Sequence, residues 1–215
     1  MSAPDAGFEI FLLMKIYLIR HAQEKILADE GDGGITPLGR QQSLSLANSL
    51  KNKGIQVLLT SDLPRAQETA QVLGDVWGLK LETSPTWREI QTPKGAWSEY
   101  EKKRHPDFSY HPGGGESVEE LLRRAEKGWE EIIWFAQNRK TAVVGHAIFT
   151  KALIYNLGFK NYLVRNGPIA NTGVTVLEVN GDKVALEKFN SYSHLRGLKI
   201  GEIWERLRLK FTRPR

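Results

Sequence analysis

Two stretches of this chain, KIYLIR at Lys15 to Arg20 and TAVVG at Thr141 to Gly145, are apolar almost without interruption and too short to form helices of their own. Runs of this kind predict strands buried on both faces, as in a parallel sheet with helices packed above and below. The segments between them have helical signals. Thr36-Pro37 is an N-cap with proline in the first turn, opening a helix that runs through Leu46, Ala47 and Leu50 to a stop at Gly54. A second strand, Gln56 to Thr60, leads into Ser61-Asp62-Leu63-Pro64, which opens a helix carrying Ala66, Ala70 and Leu73 towards the sheet. Ser117 to Glu120 forms a capping box, and Val118, Leu121, Leu122, Ala125, Trp129, Ile132, Ile133 and Ala136 mark one face of a long helix. TAVVGH, Thr141 to His146, is a short buried strand followed at once by a helix from Ala147 to Leu157, and Asn180-Gly181 joins Val174–Val179 to Val184–Phe189 as a hairpin. A terminal amphipathic helix is expected over Leu198 to Leu209. The predicted fold is α/β, a three-layer sandwich with a mostly parallel sheet, an antiparallel edge and helices on both faces.

With 215 residues, 40% of them hydrophobic, the chain can bury one large core, and no repeat, low-complexity tract or Gly/Ser linker divides it. We therefore expect a single domain over 14–215, an N-terminal extension over 1–13 with Met14 as a candidate start, and a loop or small helical insertion at 83–115. The opening MSAPDAGFEIFLLMK lacks a basic n-region and carries Asp5 and Glu9, which argues against a cleaved signal peptide. No apolar run approaches the roughly 20 residues needed to cross a bilayer. The absence of cysteine excludes disulfides, thiol catalysis and thiolate metal sites and suits a cytoplasmic location. A net charge of +5 admits anionic partners. Its densest runs, Lys102-Lys103-Arg104 and the tail from Arg206 to Arg215, are not interleaved with stacking aromatics. They are expected to be solvated surface, with neither nucleic acid nor membrane as a partner.

In open α/β sheets ligands bind beyond the carboxyl ends of the strands. Arg20 and His21 close the first strand, Arg65 stands in the first helical turn after the second, and His146 closes TAVVG. Each alone has an ordinary structural explanation. Their convergence at one sheet edge, beside helix N-termini, predicts a phosphate pocket in which arginine matches phosphoryl oxygens and histidine can attack phosphorus.

The segments LIRHA, TSDLPRAQETA and VVGHA resemble those of the histidine phosphatase superfamily, branch 1, with its phosphoglycerate-mutase-like fold. ITPLGRQQS at Ile35 to Ser43 and PGGGES at Pro112 to Ser117 extend the likeness, which covers nearly everything from Lys15 to about Phe189. The resemblance implies His21 as a phosphorylated nucleophile, Arg20, Arg65 and His146 as a phosphoryl clamp, and an acid from the loop after the second helix. That acid would be Glu89 in TWREIQTPKGAW, with Glu24 and Glu116 next in line. The resemblance further implies that no metal or other cofactor is needed and that the partner is a small phosphorylated substrate.

Where the family usually has Arg-His-Gly-Glu this chain has Arg20-His21-Ala22-Gln23, so Gln23 would meet the substrate with a neutral amide. Gly95 and Trp97 also follow Glu89 at longer spacing than usual. The loop between His21 and Thr36 is short beside that of the mutases and lacks their Trp-Asn continuation, which favours a hydrolase over a phosphoglycerate mutase. A third reading, a non-catalytic basic protein associated with RNA or membrane on the same scaffold, draws on the tail RLRLKFTRPR. A metallohydrolase is disfavoured, because none of the five histidines pair at ligand spacing. An edge strand or the terminal helix could pair with a second copy.

Overall fold

The structure is a computed structural model, and it describes residues 13–26, 32–93, 95–103, 107–161 and 168–198. The helix expected past Leu198, the basic tail, Arg104 and residues 1–12 lie outside the described residues.

A six-stranded sheet forms the centre. Its strands are β1 (Met14–Arg20), β4 (Val57–Ser61), β5 (Leu81–Ser84), β6 (Thr141–Gly145), β7 (Val174–Asn180) and β8 (Lys183–Ser191), in the order β5-β4-β6-β1-β7-β8. The first four run parallel, while β7 and β8 form the antiparallel edge. Helices cover both faces, so successive side chains of the inner strands have an apolar layer on either side. Ile16, Leu18, Leu59 and Val143 join one core with Leu121, Ile132, Phe149 and Leu153, from α4 (Val118–Ala136) and α5 (Ala147–Asn156). Tyr17, Ile19, Leu58 and Val144 join the other with Leu46, Ala70 and Leu73, from α1 (Pro37–Leu50) and α2 (Pro64–Trp77). This two-sided burial is why those strands read as unbroken apolar runs.

The helix ends obey local chemistry. Thr36 accepts from the Gly39 N–H at the start of α1, a Ser117–Glu120 capping box opens α4, and Gly78 closes α2 at φ +70°. Three features depart from expectation. β5 takes in Thr83 and Ser84, which pair with Thr60 and Ser61, so the irregular segment begins at Pro85. Among its described residues are an α-helix, α3 (Ala96–Lys103), and short 3-10 turns at Pro85–Trp87 and Pro112–Gly114. Residues between His21 and Thr36 form a two-stranded antiparallel sheet of β2 (Glu24–Ile26) and β3 (Asp32–Ile35). The hairpin closes with Asn180 paired to Lys183, so Gly181-Asp182 makes the turn, one residue later than anticipated, with Gly181 at φ +56°.

Strand register positions the site. Arg20 lies opposite Gly145 and Thr60 opposite Val144, so β1, β4 and β6 end in one row. Gly39 lets α1 approach that row: a Cβ there would stand 2.4 Å from the Gln23 carbonyl oxygen. On the same helix, Gln42 accepts from the Gln23 N–H at 2.9 Å. ITPLGRQQS therefore fastens the turn after His21 onto α1.

Candidate active site

His21 and His146 are 3% and 0% exposed, and their rings lie 5.2 Å apart, tilted by 54°. Each sits one residue past the end of its strand, β1 ending at Arg20 and β6 at Gly145, where the sequence reading made them the closing residues. His21 Nδ1 is 2.8 Å from the Ala22 carbonyl oxygen. A carbonyl only accepts, so Nδ1 carries the proton and Nε2 keeps its lone pair. Burial holds His21 well below its ordinary pKa, with Arg20 and Arg65 adding to the effect, so the ring is neutral at neutral pH. Burial likewise depresses His146, followed by the nearby His21, Arg65, Arg20 and Arg124. His146 Nε2 is 2.9 Å from Ser61 Oγ, and its buried Nδ1 has no hydrogen-bond partner among the described residues.

Two cations, Arg65 buried and Arg20 half-buried, adjoin the histidines. Arg65, in the first turn of α2, is 8% exposed, and its Nε lies 3.1 Å from Glu24 Oε2 on β2. Arg20 donates from Nη1 to the Ile169 carbonyl at 2.5 Å, and its buried Nε has no hydrogen-bond partner among the described residues. Burial lowers the pKa of Arg20, while Glu89 and Glu24 raise it and Arg65 lowers it further. An arginine stays charged despite such a shift, so two positive charges face two neutral imidazoles.

Glu89 is brought to the same edge, in a place the sequence did not suggest. Its carboxylate accepts from the first free N–H groups of α5: Ala147 at 3.1 Å, Ile148 at 2.9 Å and Phe149 at 3.0 Å. The N-terminus after His146, expected to face phosphate, is thus capped by Glu89. Glu24 stays at the site through Arg65, whereas Gln23 and Glu116 are engaged elsewhere. Gln23 turns its side-chain oxygen to Thr36 Oγ1 at 2.8 Å, and Glu116 pairs with Arg124.

Several supporting residues went unrecognised in the sequence. Thr69 Oγ1 accepts from the Ala22 N–H at 3.0 Å, and Glu68 accepts from the Ile35 N–H at 2.8 Å, so TSDLPRAQETA braces both sides of the β2–β3 hairpin. Asn171 Nδ2 donates to the His21 carbonyl at 3.2 Å. Thr172, left-handed at φ +54°, points its N–H at the carbonyls of Arg20 and His21 at 3.1 and 3.3 Å. A β-branched residue in that conformation is strained, and these bonds hold it there. Thr172 Oγ1 donates to the Asn171 carbonyl at 2.7 Å and therefore accepts from His194 Nε2 at 2.9 Å.

His194 makes the fold acid-sensitive in a definite window. Burial pushes its pKa down to about 4. Between about pH 6.5 and 4 the unfolded state binds the proton that the folded state refuses, so stability is complete above that window and falls as the pH drops through it. Urea unfolding of His194→Gln should show a shallower loss between pH 6.5 and 4 than the parent. Equal slopes would remove His194 as a contributor.

Among the described residues no group of histidine, aspartate and glutamate could hold a metal ion, and no helix is long and apolar enough to cross a membrane. Two buried histidines and two arginines gather at adjoining ends of parallel strands on a three-layer α/β sandwich. The chain belongs to the histidine phosphatase superfamily (branch 1), whose family model matches residues 16–192. Among curated relatives, a Yersinia enterocolitica protein named "Probable phosphoglycerate mutase GpmB" is 27% identical over 161 residues, 67% of this chain and 75% of that one. Among solved structures, the mycobacterial glucosyl-3-phosphoglycerate phosphatase matches with a TM-score of 0.68 at 22% identity, covering 83% of this chain and 99% of its own. A phosphoserine phosphatase mutant from Entamoeba histolytica, in complex with phosphoserine, matches with a TM-score of 0.69 at 24% identity over 85% of this chain and 99% of its own. At such identities the likeness is one of fold.

Proposed function

We propose that the chain hydrolyses phosphomonoesters of small metabolites through a phosphohistidine on His21, without a metal. The observation that carries this reading is the neutral His21 ring, its proton fixed on Nδ1 by Ala22 and its Nε2 lone pair retained beside Arg20 and Arg65. Nε2 attacks phosphorus while the P–O ester bond breaks. Arg20, Arg65 and a hydrogen bond from His146 take up charge on the phosphoryl oxygens. Glu89, entering as the carboxylic acid, gives its proton to the departing alkoxide. As carboxylate it then takes a proton from the water that attacks the phosphohistidine, the P–N bond breaks, and His21 and Glu89 return to their starting forms. Gln23, its oxygen engaged by Thr36, would offer the substrate only its Nε2.

The substrates named for the fold neighbours, phosphoserine and glucosyl-3-phosphoglycerate, are small phosphate monoesters, which supports that class here. The mutase alternative draws on the name of the Yersinia relative. A screen of phosphorylated metabolites with chelator present separates the readings. Released phosphate supports the hydrolase, phosphoglycerate isomerisation the mutase, and silence with salt-sensitive RNA binding the scaffold protein.

Arg65→Ala tests the clamp. Losing one donor to the transferring oxygens should lower kcat/KM by about a hundredfold or more, and a loss below about threefold would remove Arg65 from the clamp.

A further inference from the structure

The segment carrying Glu89 is held from behind by one face of α4. Glu131 accepts from Ser84 Oγ and Thr86 Oγ1 at 2.8 Å each, and the Gly128 carbonyl accepts from Trp87 Nε1 at 3.1 Å. One turn earlier, Arg124 donates to the carbonyls of Thr86 and Arg88 at 2.8 Å each and of Glu89 at 3.2 Å. These α4 positions recur at i, i+4 and i+7, so they form one stripe of the helix. The Arg124 guanidinium also makes a two-point pair with Glu116, at 2.8 and 2.7 Å. Glu116 in turn accepts from the Gln91 N–H at 2.9 Å, and its own N–H donates to the Gln91 carbonyl at 2.7 Å. Arg124 Cζ lies 5.7 Å from the ring centroid of Phe149, one of the residues whose N–H groups bind the Glu89 carboxylate.

We infer that Arg124, clamped by Glu116, is a positioning residue for the general acid. The inference rests on the reading of Glu89 as that acid. Arg124 fixes the backbone at 88 and 89, Glu116 fixes it at 91, and the carboxylate between them is thereby aimed at the α5 N-terminus beside His146. The two side chains are 16% and 10% exposed, so each compensates a charge that burial would otherwise make costly. The planar fork of arginine reaches three carbonyls and a carboxylate at once, which lysine cannot do. A residue acting in this way affects the proton transfer without touching the substrate.

The test measures phosphoenzyme formation in single turnover from an alkyl phosphate, whose leaving group needs a proton, and from p-nitrophenyl phosphate, whose leaving group does not. Arg124→Lys and Glu116→Gln should each slow the alkyl ester about tenfold more than the nitrophenyl ester, the scale expected when a catalytic group loses its alignment. The ratio of the two rates is independent of the folded fraction, so partial misfolding does not obscure it. In a Glu89→Gln background the extra loss should vanish, because no acid remains to be aimed. Equal slowing of both esters by Arg124→Lys, or a ratio shift that persists in Glu89→Gln, would overturn the proposal while leaving Glu89 as the acid. No leaving-group dependence in Glu89→Gln alone would overturn the acid reading and the positioning role with it.

Discussion

His21→Ala should remove turnover and leave the fold standing. The imidazole supplies the attacking nitrogen, and no neighbour replaces it: His146 Nε2 is engaged with Ser61, and its ring centroid lies 5.2 Å away. The rate should fall by at least about 10⁴-fold, the scale on which deletion of a nucleophile acts. The strand before His21 is held by its own pairing, with Ile16 and Ile19 both 0% exposed, so circular dichroism and the unfolding midpoint should stay close to the parent. Intact-protein mass spectrometry after a denaturing, alkaline quench should find phosphate on the parent and none on the variant. Hydrolysis of a model phosphomonoester by His21→Ala at the parent's rate would refute the phosphohistidine mechanism.

The arrangement around His21 accounts for its readiness at neutral pH. Desolvation and two adjacent arginines both oppose its protonation. A neutral ring is an uncharged neighbour for those arginines, and an incoming phosphate would bring them further negative charge beside that of Glu24 and Glu89. The same groups therefore keep the nucleophile unprotonated and favour the substrate.

Arg20, His21 and His146 could be located from sequence because each follows a continuous apolar run, and parallel pairing of such runs brings their carboxyl ends to one edge. The capping box at Ser117 and the stop at Gly54, which lies at φ +69° just past the turn that ends α1, were legible because they are local. The supports of the site were not. Ile169, Asn171 and Thr172 reach Arg20 and His21 from a segment preceding β7 that has no period, and only folding makes them neighbours. β5 escaped notice because it has four residues, of which Glu82 and Thr83 are exposed, so it carries no apolar pattern. Glu116, considered a substitute acid, was the same kind of omission: nothing local to PGGGES shows that Arg124, a turn and a half into α4, binds both its oxygens.

Glu89→Gln tests the part of the mechanism that depends most on long-range placement. The carboxylate is held through both oxygens, Oε1 by the N–H groups of Ile148 and Phe149 and Oε2 by that of Ala147. Glutamine therefore keeps the bonds of one oxygen, loses those of the other and cannot transfer the proton. The loosened cap acts on both esters, and the difference between them reads the proton. An alkyl phosphate expels a basic alkoxide that must be protonated as it leaves, whereas p-nitrophenolate departs unaided. Phosphoenzyme formation from the alkyl ester should therefore slow by about 10²–10⁴, and from the nitrophenyl ester much less. Formation has to be followed directly in a single turnover, because the same residue acts as base in hydrolysis and its loss there would slow both substrates alike. Equal losses in formation would exclude Glu89 as the acid. Glu24, 3.1 Å from Arg65, would then be compared by the same measurement ahead of Glu116, whose carboxylate is committed to Arg124 and the Gln91 N–H.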